Sequence, residues 1–208
     1  MPRRKSSHLY KFIFAVLGVA AALLANINYR PEHREAIVVK VIDGDTLKLD
    51  NGEKVRLIGI DTPEMHESDK LHADARKTGQ DAATIKAMGQ QAYEYTNRWV
   101  AGQKVRLEFD KDKRDKYGRL LAYVYLPFPR PPLSDAPRAG YIVKIDDQRW
   151  YFLNATIIQS GYAVPMVFEP NVKNKEIFEQ LYEQAKENHL GLWSENKPLQ
   201  PIKRKKSK

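Results

Sequence analysis

Residues 37–60 read Ile-Val-Val-Lys-Val-Ile-Asp-Gly-Asp-Thr-Leu-Lys-Leu-Asp-Asn-Gly-Glu-Lys-Val-Arg-Leu-Ile-Gly-Ile. Ile37 to Ile42 is a β-branched run, and Thr46 to Asp50 alternates apolar with polar side chains. Both patterns predict strands, because alternation puts every second side chain on the same face of a pleated ribbon. Asn51-Gly52 is a tight-turn signal, since both residues tolerate positive φ, and Lys54 to Ile60 returns as the third strand of a meander.

Downstream, Ala87 to Val100 has helical spacing, with Ala92, Tyr95 and Trp99 on one face, and ends at Gly102. Lys104 to Phe109 alternates strictly, and Arg119 to Leu126 is a further strand. Five of the 12 prolines fall between Pro127 and Pro137, which predicts a projecting loop within 127–140. Tyr141 to Ile145 and Arg149 to Leu153 read as a hairpin, and Asn154 to Ser160 as a short helix closed by Gly161. Lys175 to His189 is amphipathic, with Ile177, Phe178, Leu181, Tyr182 and Ala185 facing inward. Five strands with interspersed helices predict an α+β fold, a five-stranded Greek-key barrel of the oligonucleotide-binding type with packed helices. Trp99 and Trp193 are expected in its core.

The chain has 208 residues, 42% of them apolar and 29% charged, which excludes collagen-like and wholly disordered classes. It has no cysteine, so disulfides, thiolate zinc sites and thiol nucleophiles are excluded. The net charge of +9 is concentrated at the ends: Arg3, Arg4 and Lys5, and then Lys203, Arg204, Lys205, Lys206 and Lys208. Without those eight, 27 basic residues face 26 acidic ones, so net charge says little about partners.

Arg3-Arg4-Lys5 precedes an uncharged apolar run from Phe12 to Ala25. Basic flank and apolar core predict an N-terminal hydrophobic helix over 9–28, a signal anchor or a signal peptide. Ala20-Ala21-Ala22 lies inside the run, which favours an uncleaved anchor. Either form places the rest of the chain outside the cytoplasm, membrane-anchored or secreted. The organisation expected is a basic segment over 1–8, this helix, a linker over 29–35, one domain over 36–196, and a basic disordered tail over 197–208.

Several charged residues need more than a surface role. Asp43-Gly44-Asp45-Thr46 sits at a turn; Asp43 and Gly44 suit turn chemistry, whereas Asp45 begins a strand. Arg56 interrupts an apolar strand, and Asp61-Thr62-Pro63-Glu64 sets two carboxylates at its end. Carboxylates and a main-chain carbonyl are what a hard divalent cation takes, and guanidinium groups grip phosphate through paired hydrogen bonds. Asp45, Arg56, Asp61, Glu64 and Arg119 thus make a cation site with two phosphate clamps. Arg56 and Asp61 are five residues apart and would fall on opposite faces of a regular strand, so a break at Gly59 or the strand end is required.

With these motifs the chain resembles the thermonuclease family of staphylococcal-nuclease type. The resemblance spans roughly 36–195 and rests on Val-Ile-Asp-Gly-Asp-Thr (41–46), Arg-Leu-Ile-Gly-Ile-Asp-Thr-Pro-Glu (56–64), Asp-Lys-Tyr-Gly-Arg (115–119) and Leu-Trp-Ser-Glu-Asn (192–196). It implies a calcium-dependent endonuclease acting on DNA and RNA. By the resemblance, Asp45, Asp61 and the Thr62 carbonyl bind calcium (Ca2+) and Glu64 holds the attacking water. Arg56 and Arg119 grip the scissile phosphate, and Tyr117 touches a neighbouring one. Met166 and Phe168 stand where the family often has tyrosines, so base stacking falls to Phe168. The segment between Glu64 and Gly89 is longer than usual, and its His66 and His72 read as exposed loop residues. The competing expectations are a non-catalytic nucleic-acid-binding barrel anchored at the envelope, and a surface protein whose basic tail binds polyanions.

Overall fold

The computed structural model describes residues 32–129 and 140–194. The N-terminal hydrophobic segment, most of the proline-rich loop and the basic tail lie outside these residues. Among the described residues no helix is long and apolar enough to cross a membrane.

The meander forms as its alternation requires. Strand β1 (His33–Asp43) pairs antiparallel with β2 (Thr46–Leu49), and β2 with β3 (Lys54–Leu57) across the Asn51-Gly52 turn, where Gly52 has φ +85°. Strand β1 begins earlier than the linker assigned to 29–35 allows. His33, Arg34 and Glu35 pair with Glu108, Leu107 and Arg106 of β5 (Lys104–Glu108), and Lys104 holds Glu35 at 2.6 Å. These polar side chains read as linker because the strand's solvent face carries charge.

Strand β6 (Leu120–Pro127) closes the barrel: it runs parallel to β3, Val55 opposite Leu120, and antiparallel to β5. The closed ring is therefore β1-β2-β3-β6-β5, five strands. Its inward set, including Val38, Val41, Leu47, Val55, Leu57, Leu107, Ala122 and Val124, is fully or almost fully buried. Beyond the ring, β6 also pairs with β8 (Gln148–Phe152), which forms the expected hairpin with β7 (Ile142–Ile145).

The third strand does not run through to Ile60. It stops at Leu57, and a short strand β4 (Gly59–Asp61) leaves in a new direction to pair with β9 (Val164–Met166). Gly59 at φ +79° makes the break, a conformation that L side chains avoid. A fully buried amide from the short helix that follows β8 fixes the kink. Asn154 donates to the Ile58 carbonyl at 2.9 Å and accepts from the Val124 amide at 3.0 Å.

Four helices pack on the barrel among the described residues. Helix α1 (Asp69–Thr78) occupies a segment that reads as loop in the sequence. Ser68 caps it by accepting from the Leu71 amide, and Gly79 at φ +72° ends it. Helix α2 (Ala82–Val100) begins before the predicted Ala87, because Asp81 caps it through the Thr84 amide at 2.8 Å. Helix α3 (Leu153–Gln159) is almost wholly buried, and α4 (Lys175–Glu187) buries Phe178, Leu181 and Ala185. Trp99 and Trp193 are core residues as expected.

Candidate active site

The break at Ile58-Gly59 brings Arg56 and Asp61 onto one side. Arg56 Nη2 donates to Asp61 Oδ1 at 3.0 Å, and Nη1 reaches Asp45 Oδ2 at 2.9 Å and the Ile60 carbonyl at 2.9 Å. One guanidinium thus ties the end of β3, the start of β2 and the last two residues of β4 together. Asp45 Oδ2 also accepts from the Thr62 amide at 2.9 Å and the Thr62 hydroxyl at 3.1 Å. Asp45, Asp61 and Thr62 are all buried, so these contacts act in a medium that screens them weakly.

Helix α2 sets this turn in place through two residues with no motif of their own. Thr96 donates its hydroxyl to the Gly44 carbonyl at 2.7 Å. Gly89 lets the Glu64 backbone lie against the helix, since a Cβ there would stand 2.8 Å from the Glu64 carbonyl carbon. Glu64 Oε1 in turn accepts from the amides of Met65 and His66, at 3.1 and 3.2 Å.

Across the cleft, Asp115 organises the second motif. Its Oδ1 accepts from the amides of Tyr117 and Arg119, and its Oδ2 takes Arg119 Nε at 2.7 Å. No described residue accepts a hydrogen bond from the terminal Nη atoms of Arg119, unlike those of Arg56. Asn171 locks the facing loop to this turn with a reciprocal pair: it accepts from the Asp112 amide and donates to the Asp112 carbonyl, both at 2.8 Å. Phe168, 59% exposed, and Tyr117, 71% exposed, are presented on those two segments. Every expected site residue, Asp45, Arg56, Asp61, Thr62, Glu64, Tyr117, Arg119 and Phe168, lines one cleft of about 720 Å³. His66 and His72 do not; His72 is on α1 and pairs with Glu67 at 2.6 Å.

Lys70 and Asp43 are among the cleft residues that were not expected. Lys70, on the first turn of α1, places its ammonium 3.3 Å from Asp61 Oδ1 and 3.4 Å from the Thr62 carbonyl. Burial disfavours that ammonium, but Asp61, Asp45 and Asp74 outweigh it and raise its pKa. Asp43 also lines the cleft, and its Oδ1 accepts from the Asp45 amide at 3.1 Å.

The carboxylates titrate apart. Burial, then the neighbouring Asp45 charge, pushes Asp43 up to about 7. Burial raises Asp61 to about 6 despite Lys70 and Arg56. Burial also opposes the Asp45 charge, but Arg56 and the Thr62 amide overcome it and hold its pKa below the ordinary range.

A raised carboxyl pKa means that the folded chain binds more protons than the unfolded chain between the two values, so stability falls as pH rises through that window. In buffer free of divalent ions, stability is expected to decline from about pH 4 to about pH 7 through Asp43 and Asp61. Asp43→Asn should flatten the decline and gain roughly 1–3 kcal/mol at pH 7.5. Urea midpoints across that range check it, and an unaltered slope in the variant would contradict it.

The donor set suits a hard divalent cation: two buried carboxylates and a carbonyl oxygen, with space for water in the cleft. Among the described residues no group of three or more His, Cys, Asp or Glu side chains surrounds a single point, so the Thr62 carbonyl and water would have to complete the shell.

Known proteins resemble this chain in sequence. The sequence model of staphylococcal nuclease homologues matches residues 54–195. A thermonuclease of Staphylococcus hyicus is 32% identical over 160 residues, covering 76% of this chain and 74% of its own. A thermonuclease of Staphylococcus intermedius is 31% identical with the same coverage. The endonuclease YncB of Bacillus subtilis (strain 168) is 33% identical over 162 residues, covering 76% of this chain and 60% of its own.

Proposed function

This chain belongs to the staphylococcal nuclease homologues, and from that membership we propose that it is a calcium-dependent endonuclease cleaving both DNA and RNA at the cleft of Asp45 and Arg119. It is a nuclease, a hydrolase of phosphodiester bonds. The observation that carries the finer reading is the opposition of two charge systems across one cleft. Buried carboxylates fixed by Arg56 stand on one side, and on the other an arginine whose Nη atoms donate to no described residue, its guanidinium over the Tyr117 ring.

Asp45, Asp61 and the Thr62 carbonyl would hold the cation, which would supply positive charge to the scissile phosphate and help to polarise water. Arg119 offers its Nη pair to the phosphate, with Nε held by Asp115 so that the fork arrives oriented. Arg56 keeps the carboxylates in register and adds a second guanidinium beside the phosphate. Glu64, oriented by the two amides that bind Oε1, takes the proton of the attacking water as the new P–O bond forms, and the bond to the leaving oxygen breaks with solvent water supplying that oxygen's proton. The negative charge that grows on the phosphoryl oxygens then meets fixed counter-charges in a partly dry cleft.

Tyr117 and Phe168 are solvent-exposed aromatic side chains on the two flanking segments, with Lys116 and Arg119 over the Tyr117 ring. Base stacking tolerates any base and either sugar, which supports action on both nucleic acids, and Tyr117 also reaches a neighbouring phosphate. Arg3-Arg4-Lys5 and the apolar run to Ala25 support export, with the domain anchored outside the membrane by residues 9–28, or secreted.

Arg119→Lys tests the phosphate clamp, since lysine keeps the charge but not the paired donors. The turnover rate is expected to fall about 100-fold or more, while affinity for single-stranded DNA in chelator changes by less than about tenfold. Equal rates for lysine and arginine would remove Arg119 from the chemistry.

A further inference from the structure

We propose that Lys70, carried into the cleft by α1, is a built-in competitor for the divalent cation of the nuclease site. The inference rests on the reading of Asp45, Asp61 and the Thr62 carbonyl as the cation's ligands. The Lys70 ammonium lies against two of those three groups, 3.3 Å from Asp61 Oδ1 and 3.4 Å from the Thr62 carbonyl oxygen. Arg56 Nη2 shares that Asp61 oxygen, but the Lys70 ammonium also meets the Thr62 carbonyl, and a cation bound to both oxygens at about 2.3–2.6 Å would stand against the ammonium and repel it.

The position of Lys70 is built. Ser68 caps α1 at the turn that carries the lysine, and fully buried Leu71 next to it anchors the helix to the body. The segment between Glu64 and Gly89 therefore delivers a charge to the site. Lys70 also has somewhere to go. Its side chain is 41% exposed, and Asp74, one turn along the same helix face, lies 3.8 Å from its Nζ. Rotation of the flexible stem from Asp61 towards Asp74 would open the ligands without moving the helix. The protein would then respond to divalent ion concentration at a higher threshold than its ligand set alone would give. With no cation bound, the ammonium would neutralise part of the buried carboxylate charge.

The test is calcium binding to the full chain by isothermal titration calorimetry, with no substrate present. A resident ammonium that fills the site nine-tenths of the time weakens apparent affinity about tenfold. Lys70→Met is accordingly expected to lower the Kd about tenfold. Lys77→Met removes a charge from the same helix, 3.8 Å from Asp74 but with no contact to Asp61 or Thr62, and should change the Kd by less than about twofold. Asp74→Asn takes away the alternative partner and should weaken calcium binding about two- to threefold, an effect that vanishes when combined with Lys70→Met. Lys70→Gln serves as the second uncharged variant should the methionine variant fail to give the wild-type circular dichroism spectrum.

A Kd unchanged in both uncharged variants, or lowered no more than by Lys77→Met, would overturn the proposal and leave the cation site standing. Absence of calcium and manganese binding to wild type and variants alike would instead overturn the cation site itself, and the competitor with it.

Discussion

Asp45→Asn is expected to lower the rate of phosphodiester hydrolysis by about 100- to 1,000-fold or more while leaving the fold intact. The isosteric amide can still accept from the Thr62 amide and hydroxyl, the contacts that hold β4 against the start of β2. It cannot match the Arg56 guanidinium or offer a cation a charged oxygen. Arg56 keeps its bonds to Asp61 and the Ile60 carbonyl, so it is not stranded. With the Asp45 charge gone, the repulsion that helps to raise Asp61 also disappears, and the Asp61 pKa should fall. Steady-state rates beside a urea melt separate the two contributions. A rate within tenfold of wild type would exclude Asp45 from the site.

Gly59→Ala should give the largest loss of stability, about 2–5 kcal/mol. The backbone at φ +79° strains an L side chain by roughly 1–2 kcal/mol. The new methyl group would stand 2.4 Å from Phe178 Cε2 and 2.8 Å from Cδ2, and forcing that ring aside in a packed core costs about 1–3 kcal/mol more. Phe178 is fully buried among Tyr123 and Phe152, so it has little room to yield. Gly52→Ala is the control, since Gly52 is at φ +85° and a methyl group there would meet nothing within 4 Å. It should show the strain alone. Equal losses in the two variants, by denaturant midpoint, would show that the Phe178 contact is unimportant.

The strands were legible where period and turn chemistry agree, as in Thr46–Leu49, Asn51-Gly52 and Lys104–Glu108. Barrel closure was less direct, because the parallel pairing of β3 with β6 joins segments more than 60 residues apart and leaves no local mark. The need for a break between Arg56 and Asp61 could be deduced from their spacing, and Gly59 supplies it. The buried amide of Asn154 that fixes the break could not be foreseen, since a polar residue opening a short helix reads as a surface residue.

Helix α1 escaped notice because its apolar stripe is so thin: Asp69-Lys-Leu-His-Ala-Asp-Ala-Arg-Lys-Thr buries only Leu71 and Asp74. Its signals were the Ser68 cap and Gly79, and with the helix unseen, Lys70 could not be placed in the cleft. The site motifs were legible as residue types, but their supports were not. Thr96, Gly89 and Asn171 act on backbone atoms far away in sequence, and no spacing rule reports such contacts. Asp43 read as a turn former, and it does accept from the Asp45 amide; its burial beside Asp45 is a property of the closed barrel.

Acid-soluble nucleotide release decides whether this cleft cleaves phosphodiester bonds with the help of a cation. The purified full chain is incubated with single-stranded DNA and with RNA, in calcium and in a calcium chelator. Release from both substrates in calcium, stopped by chelator and restored when calcium is returned, is the predicted result. Release that continues unchanged in chelator, or no release with calcium, magnesium or manganese while nucleic acid still binds, would contradict it.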